Sequence, residues 1–328
     1  MRVLFVGTAE LAVASLRALL TDPTLEIVGV VTMPDRPQGR KLQLQPSPVK
    51  AAALEARLKV LQPERIRSEA SLSELRALAP DLIVVAAYGQ ILPRALLEIP
   101  RHRCLNVHTS LLPRHRGAAP IQWSILSGDE KTGVTLMLMD EGLDTGPILA
   151  TRETIIEPAD NAQTLHDRLA VMGAELLATF LPAWVRGEIH PTPQPSEGVT
   201  YARKIEKGDG LLDWRLPART LWNRVRGLVP WPGAFFHHTT ASGRMRIKVW
   251  EAAVQDEAVL APGEILKADP SGLWVACGVG ALQILSLQRE GGKRLPAREF
   301  LLGTGFAPGE RLEIEGIQET GATGSEKG

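Results

Sequence analysis

The sequence predicts an α/β protein, with a doubly wound parallel sheet followed by a small antiparallel barrel. Three observations carry that expectation. Through the first half, apolar runs of strand length alternate with helix-length periodic segments, which implies crossover connections and parallel pairing. Between residues 189 and 196 the chain reads IHPTPQPS, three prolines with no periodicity, the composition of an extended linker. Beyond Gly208 the pattern changes to short strands separated by turn signals, as a small barrel requires.

Taken in order, VLFVG is the first strand and the apolar-periodic stretch to Leu20 the first helix. EIVGVVT is the second strand. A long polar loop then leads to a helix near Pro48 to Leu58, and DLIVVAA and CLNV supply two further strands. VTLMLM and a helix from Asn161 to Trp184 close the unit. Leu165, Leu169, Met172, Leu176 and Phe180 recur at spacings of four and three, so they share one helix face and form a core stripe. In the second half MRIKVWEAAV, GEILKA, GLWVAC and ALQILSLQ read as strands, DPSG as a turn and Pro217 to Leu228 as a helix, while His237 and His238 read as part of a turn. The expected organisation is therefore an α/β domain over 1–188, a linker over 189–206, a barrel over 207–314 and a disordered tail over 315–328.

Composition narrows the function classes. The longest apolar run, Leu82 to Ala87, is far below the roughly 18 residues of a membrane span, and the first strand follows directly after Met1 and Arg2, so a cytoplasmic location is expected. The two cysteines, Cys104 and Cys277, lie outside any C-x-x-C spacing, which excludes a disulfide framework or a cysteine-rich zinc site. The seven histidines show no metal-ligand spacing, and no metal is expected. Basic and acidic residues both total 37, yet Tyr201 to Trp250 holds ten Lys or Arg against three acids. That cluster reads either as a phosphate-binding surface or as a solvated face.

Gly7, in FVGTAE, sits where the first strand meets the first helix, but Ala9 and Ala12 stand where a dinucleotide fingerprint needs glycine, so NAD is not the expected ligand. The chemistry-bearing stretch is CLNVHTSLLPRHRGAAP. Asn106 and His108 are two apart on a strand and project to one face, at the end of a parallel strand where open α/β sheets bind ligands. The competing reading is a pair that satisfies buried backbone groups at a strand end. Against it stands the glycine-containing acidic loop MDEGLDTGP after the next strand, which could bring Asp144 to His108. An amide, an imidazole and a carboxylate without an activated Ser or Cys suit direct attack of an external nucleophile on a carbonyl.

The pattern N-x-H-x-S-L-L-P-x-x-x-G followed by D-x-G-L-D-T-G resembles the formyltransferases that use 10-formyltetrahydrofolate. The resemblance implies that Asn106, His108 and Asp144 are catalytic, that Ser110, Leu111, Leu112 and Pro113 line the folate site, and that Ile91 and Leu92 of AYGQILP hold the pterin. VTMPDRPQGRKLQLQPSPVKAAA resembles the loop that one branch of the family uses at the acceptor end of tRNA, which would place Arg36, Arg40 and Lys41 against phosphates. A solvated surface loop is the alternative for this stretch.

VTYARKIEKGDGLLDW and VPWPGAF continue the resemblance, so it spans nearly all of residues 1–314 and adds Lys204 and Lys207 to the expected tRNA contacts. It implies a Rossmann-like domain, an OB-like barrel, and transfer of formyl from 10-formyltetrahydrofolate, as donor substrate, to the α-amine of methionyl initiator tRNA. Neither a membrane nor an obligate protein partner is implied. Three alternatives share parts of the pattern: a formyltransferase acting on a sugar-nucleotide amine, a 10-formyltetrahydrofolate hydrolase, and a non-catalytic RNA-binding protein. Thr109 and Arg203 depart from the family pattern and touch no assigned role.

Overall fold

A computed structural model of the protein describes residues 1–38, 43–240, 243–255 and 261–314; the tail expected to be disordered, 315–328, lies outside them. The chain divides into two compact units. The first comprises Met1–Ser124, Glu130–Pro158 and Thr164–Lys204, and the second Ile125–Asp129, Ala159–Gln163 and the chain from Ile205 onward.

The first unit runs β1 (Arg2–Gly7), α1 (Glu10–Leu20), β2 (Glu26–Val31), β3 (Arg36–Gln38), β4 (Gln43–Gln45), α2 (Pro48–Glu55), β5 (Val60–Leu61), α3 (Glu69–Ala77), β6 (Leu82–Ala86), α4 (Arg94–Leu97) and β7 (Cys104–His108). It continues through β8 (Arg116–Gly117), α5 (Pro120–Leu126), β9 (Lys131–Leu138), β10 (Ile148–Ile155), α6 (Ala162–Val185) and β11 (Tyr201–Ala202). Seven strands form one sheet in the order β10-β9-β7-β6-β1-β2-β5. β5, β2, β1, β6 and β7 pair in parallel, and β9 and β10 extend the sheet as an antiparallel edge. The parallel strands read as unbroken apolar runs because both faces are covered. Leu4, Val6, Ile83 and Val85 share one buried cluster with Val31, Leu61, Leu72 and Leu75. The intervening Val3, Phe5, Val84 and Leu105 are buried as well.

α6 carries the expected apolar stripe in part. Leu165, Leu169 and Leu176 are buried and Met172 and Phe180 half-buried, with Leu177 and Leu181 buried in addition. By length and composition α6 could cross a membrane. Here it is pressed onto the sheet. A Cβ at Gly173 would lie 2.8 Å from Val107 Cγ1, so glycine at that position lets the helix reach the strand that carries Asn106 and His108.

The stretch between β2 and α2, read as a plain polar loop, instead forms an arm with a pinned base. β3 and β4 pair antiparallel, Arg36 opposite Gln45 and Pro37 opposite Leu44. Thr32 Oγ1 and Ser47 Oγ share a buried hydrogen bond of 2.7 Å, and Ser47 also accepts the Lys50 amide as the N-cap of α2. Lys50 Nζ lies 2.6 Å from Asp35 Oδ2, and Gln62 Nε2 donates to Asp35 Oδ1 at 2.8 Å. The hydrogen bonds from Lys50 and then Gln62 hold the Asp35 carboxyl below its ordinary range.

In the second unit, α7 (Ala218–Gly227) precedes β12 (Ala234–Thr240), β13 (Gly243–Gln255), β14 (Ile265–Asp269), β15 (Gly272–Ala276), β16 (Ala281–Arg289), β17 (Arg294–Pro296) and α8 (Ala297–Leu302). The antiparallel order is β12-β13-β16-β15-β14, with β17 added to β16. Register shifts on either side of Glu251 bend β13, and the sheet curls into a half-barrel. Its concave face buries Trp214, Phe236, Ile247, Val249, Leu273, Val275, Leu282 and Ile284, with Trp214 edge-on to Phe236 at 5.6 Å. His237 and His238 lie on β12 and not in a turn. The buried His238 ring stacks on Phe306 at 4.3 Å, and its Nε2 is 2.7 Å from Glu310 Oε1, so aromatic and ionic partners far along the chain decide its place.

Candidate active site

Asn106 and His108 stand on one face of β7, both almost fully buried, and the loop between β9 and β10 carries Asp144 to them. Asn106 Nδ2 donates to Asp144 Oδ1 at 3.3 Å, and His108 Nδ1 lies 3.7 Å from Asp144 Oδ2. The other ring nitrogen, Nε2, is 3.0 Å from the His115 carbonyl. A carbonyl only accepts, so Nε2 carries a hydrogen. The ring is thus held by the His115 carbonyl on one side and faces the Asp144 carboxylate on the other. The three residues selected from the sequence therefore form one constellation.

The position of Asp144 is over-determined. Its φ is +52°, a left-handed value that costs a non-glycine residue energy unless its surroundings enforce it. The Gly117 amide donates to Asp144 Oδ2 at 2.8 Å. Gln194 Nε2 donates to the Asp144 carbonyl at 2.7 Å and to the Gly146 carbonyl at 2.8 Å, while Arg116 Nη2 grips Gln194 Oε1 at 2.7 Å. Upstream in the same loop, Asp140 Oδ1 accepts the Gly142 amide at 3.1 Å and the Thr145 hydroxyl at 2.7 Å. A Cβ on Gly146 would fall 1.9 Å from the Leu138 carbonyl oxygen, so only glycine lets the loop return this tightly to β9.

The remaining candidates occupy different environments. Ser110 is fully buried, its hydroxyl donating to the Arg114 carbonyl at 2.6 Å and its carbonyl accepting from Thr135 Oγ1 at 2.7 Å, so it braces the SLLP turn. The same Thr135 oxygen accepts the Leu112 amide at 3.1 Å. Leu112 is buried, whereas Leu111 and Pro113 are half-exposed and available to a ligand. In the loop after β6, Leu92 packs into the core and Ile91 is 81% exposed. Leu143, beside Asp144, is 54% exposed, and an Arg94 to Glu141 contact of 3.7 Å links the two loops. Arg36 is exposed on β3, and Arg40 and Lys41 of the same arm lie outside the described residues. Lys204 and Lys207 are exposed. Among the described residues no group of three or more His, Cys, Asp or Glu is arranged to hold a metal ion.

Four contributors escaped the sequence reading: Gln194, Arg116, and the backbone groups of His115 and Gly117. Gln194 sits in a proline-rich run that looks like linker, and backbone donors leave no side-chain signature.

Comparison with other proteins bears on this geometry. Residues 1–181 match the formyl transferase family and residues 204–305 the formyl transferase C-terminal domain. The chain is 49% identical over 315 residues to a methionyl-tRNA formyltransferase of Myxococcus xanthus, covering 96% of this chain and 99% of the relative. It is 47% identical over 319 residues to a methionyl-tRNA formyltransferase of Geobacter sulfurreducens, covering 97% and 99%. Among solved structures, an N-formyltransferase from Helicobacter canadensis, in complex with folinic acid and dTDP-3-aminofucose, superimposes with a TM-score of 0.63 at 16% identity. That match covers 86% of this chain and 98% of the other, and it speaks to the fold.

Proposed function

The chain belongs to the methionyl-tRNA formyltransferase family, and from that premise we propose how its residues carry formyl from 10-formyltetrahydrofolate to the α-amine of methionyl initiator tRNA. The carrying observation is the convergence of Asn106, His108 and Asp144 at the end of β7. One amide hydrogen of Asn106 is engaged by Asp144, and the other is the donor for the formyl oxygen as it gains negative charge. The His108 ring stands beside this pair, held between the His115 carbonyl and Asp144. A donor of the Asn106 kind typically contributes about 3 kcal/mol to the tetrahedral intermediate.

The acceptor amine attacks only when neutral, and a free α-amine has a pKa of about 7.7 to 8.0. Asp144 takes the proton the amine sheds as the new N–C bond forms, directly or through a water. When the bond from carbon to the folate nitrogen breaks, that nitrogen regains a proton, so the transfer balances without a metal or a covalent enzyme intermediate. Leu111 and Pro113, with Ile91 and Leu143, offer exposed apolar surface to the pterin. Arg36, with Arg40 and Lys41, meets the acceptor end of the tRNA, and Lys204 and Lys207 engage phosphates. The reaction belongs in the cytoplasm, where the initiator is charged.

The test is direct. The protein is incubated with 10-formyltetrahydrofolate and, separately, methionyl initiator tRNA, free methionine, or an amino-sugar nucleotide, and the formylated product is measured. Formyl should appear on the tRNA. Preferential formylation of the sugar nucleotide would overturn the reading, and formate release alone would make the protein a hydrolase.

A further inference from the structure

Residues 182–203 fall between the two matched regions, and the composition of IHPTPQPS is that of a tether. The hydrogen bonds say otherwise. Thr192 exchanges both backbone bonds with Ile148 at 2.8 Å, next to the loop that carries Asp144. Gln194, half-buried in an otherwise exposed run, reaches the Asp144 and Gly146 carbonyls. Thr200 accepts the His115 amide on its hydroxyl at 2.8 Å and the Arg116 amide on its carbonyl at 2.9 Å. Tyr201 and Ala202 then pair in parallel with Arg116 and Gly117. Both groups that hold the catalytic pair, the His115 carbonyl under His108 and the Gly117 amide under Asp144, therefore sit on backbone sewn to this one segment.

We propose that residues 192–202 are a strap belonging to the active site, and that Gln194 is a positioning residue which fixes Asp144 in its left-handed conformation. The inference rests on the catalytic reading of Asp144 given above. Gln194 is suited to the task because its two ends do different work. The amide nitrogen donates to two carbonyls of the catalytic loop, and the amide oxygen is clamped by the Arg116 guanidinium through Nε at 3.1 Å and Nη2 at 2.7 Å. Arg116 adjoins Gly117, so the clamp ties the two sides of Asp144 to each other.

Two substitutions separate positioning from mere docking of the strap. Gln194→Met keeps the shape and removes every hydrogen bond. Gln194→Glu retains an acceptor for Arg116 but has no N–H for the two carbonyls. In the full chain, Gln194→Met should lower kcat on the order of tenfold to a hundredfold, as small misplacement of a reacting group does, with KM for both substrates within about twofold. Gln194→Glu should do no better, and the pH profile of kcat should shift in both variants. Added to Asp144→Asn, Gln194→Met should cost nothing further, because its effect passes through that carboxylate.

Wild-type kcat in Gln194→Glu would overturn the proposal, as would a loss confined to KM and Tm with an unmoved pH profile, or fully additive losses in the double variant. Near-normal turnover in Asp144→Asn alone would remove the catalytic reading and the strap with it. Impaired Asp144→Asn beside unimpaired Gln194 variants would remove only the strap.

Discussion

In the first unit the polar groups of the candidate site are buried and each is tied to a specific partner: Asn106 to Asp144, His108 to His115, Arg116 to Gln194. In the second unit several basic side chains also lie over aromatic rings, with Arg246 3.6 Å from the Phe235 centroid, Arg226 3.9 Å and Arg219 5.0 Å from Trp222, and Arg294 5.4 Å from Trp250, while Arg226 also donates to Asn223 and Arg294 pairs with Glu251. The first arrangement fixes atoms to a few tenths of an ångström in a low dielectric, where an unpaired group would be costly. The second adds the attraction of a ring face for a cation to whatever hydrogen bonds that cation makes. Reaction needs the former and charge-based recognition tolerates the latter. Density of basic residues is therefore a poor guide to how many are open to phosphate. Arg215 is committed to Asp213 at 2.7 Å, and Lys248 donates to the Pro232 carbonyl at 3.0 Å.

The contrast can be broken most severely at the buried network. Asp144→Asn and Asn106→Ala should each lower kcat by about a hundredfold or more while tRNA affinity stays near wild type, with a loss of melting temperature where Asn106→Ala leaves Asp144 Oδ1 without its donor. Near-normal turnover in Asn106→Ala would move the chemistry elsewhere. A backbone version is Gly146→Ala, whose methyl would fall 1.9 Å from the Leu138 oxygen. It should cost turnover on the order of tenfold or more by displacing the loop, read by single-turnover kinetics and a melting curve.

Recognition should fail more gently. Arg36→Ala, or Arg40→Ala, should lower kcat/KM for the initiator tRNA severalfold and leave slow formate release from the donor untouched. Equal kcat/KM for variant and wild type, on the full tRNA and on an acceptor-stem minihelix alike, would make the arm a surface feature. Neutralising Lys204 and Lys207 should weaken all tRNAs alike and reduce the slope of log Kd against log salt by about 0.9 for each phosphate that is no longer neutralised.

The smallest effect is expected from the two thiols, one in each unit's core. Burial pushes both Cys104 and Cys277 up to about 12, so the native protein should resist alkylation at pH 8. Because the folded value is the higher one, this contribution to stability is complete below the ordinary thiol range near 8.5 and declines as pH rises towards 12. In single-cysteine variants, each thiol's labelling against denaturant reports the opening of its own unit. Identical midpoints would mean that the units unfold together.

Much of the first unit was legible because its strands are buried on both faces and stand out as apolar runs. Asn106 and His108 could be selected for the same reason, as polar residues at alternate positions of such a strand, and the acidic loop MDEGLDTGP after the next strand pointed to Asp144. The two-residue strand β5 is too short to give a period, and the arm hairpin is held by Thr32, Asp35, Ser47 and Lys50 at its base, not by any alternation within it. The AFFHHTT strand went unread because two histidines resemble a turn until their partners, Phe306 and Glu310, are known. Gln194 was illegible for a deeper reason. Its role is defined by carbonyls some fifty residues earlier, and prolines on either side disguise an ordered segment as a spacer.

The strap also sets an order in time. Asn106 and His108 leave the ribosome early, and the sheet that carries them can close from local crossovers, but the Thr200 hydroxyl that receives the His115 amide is 85 residues further on. Such a long loop costs little extra free energy to close but cannot close before its far end exists. A nascent chain halted at residue 190 would lack every contact that the strap makes with His115, with Arg116 and with the loop that carries Asp144.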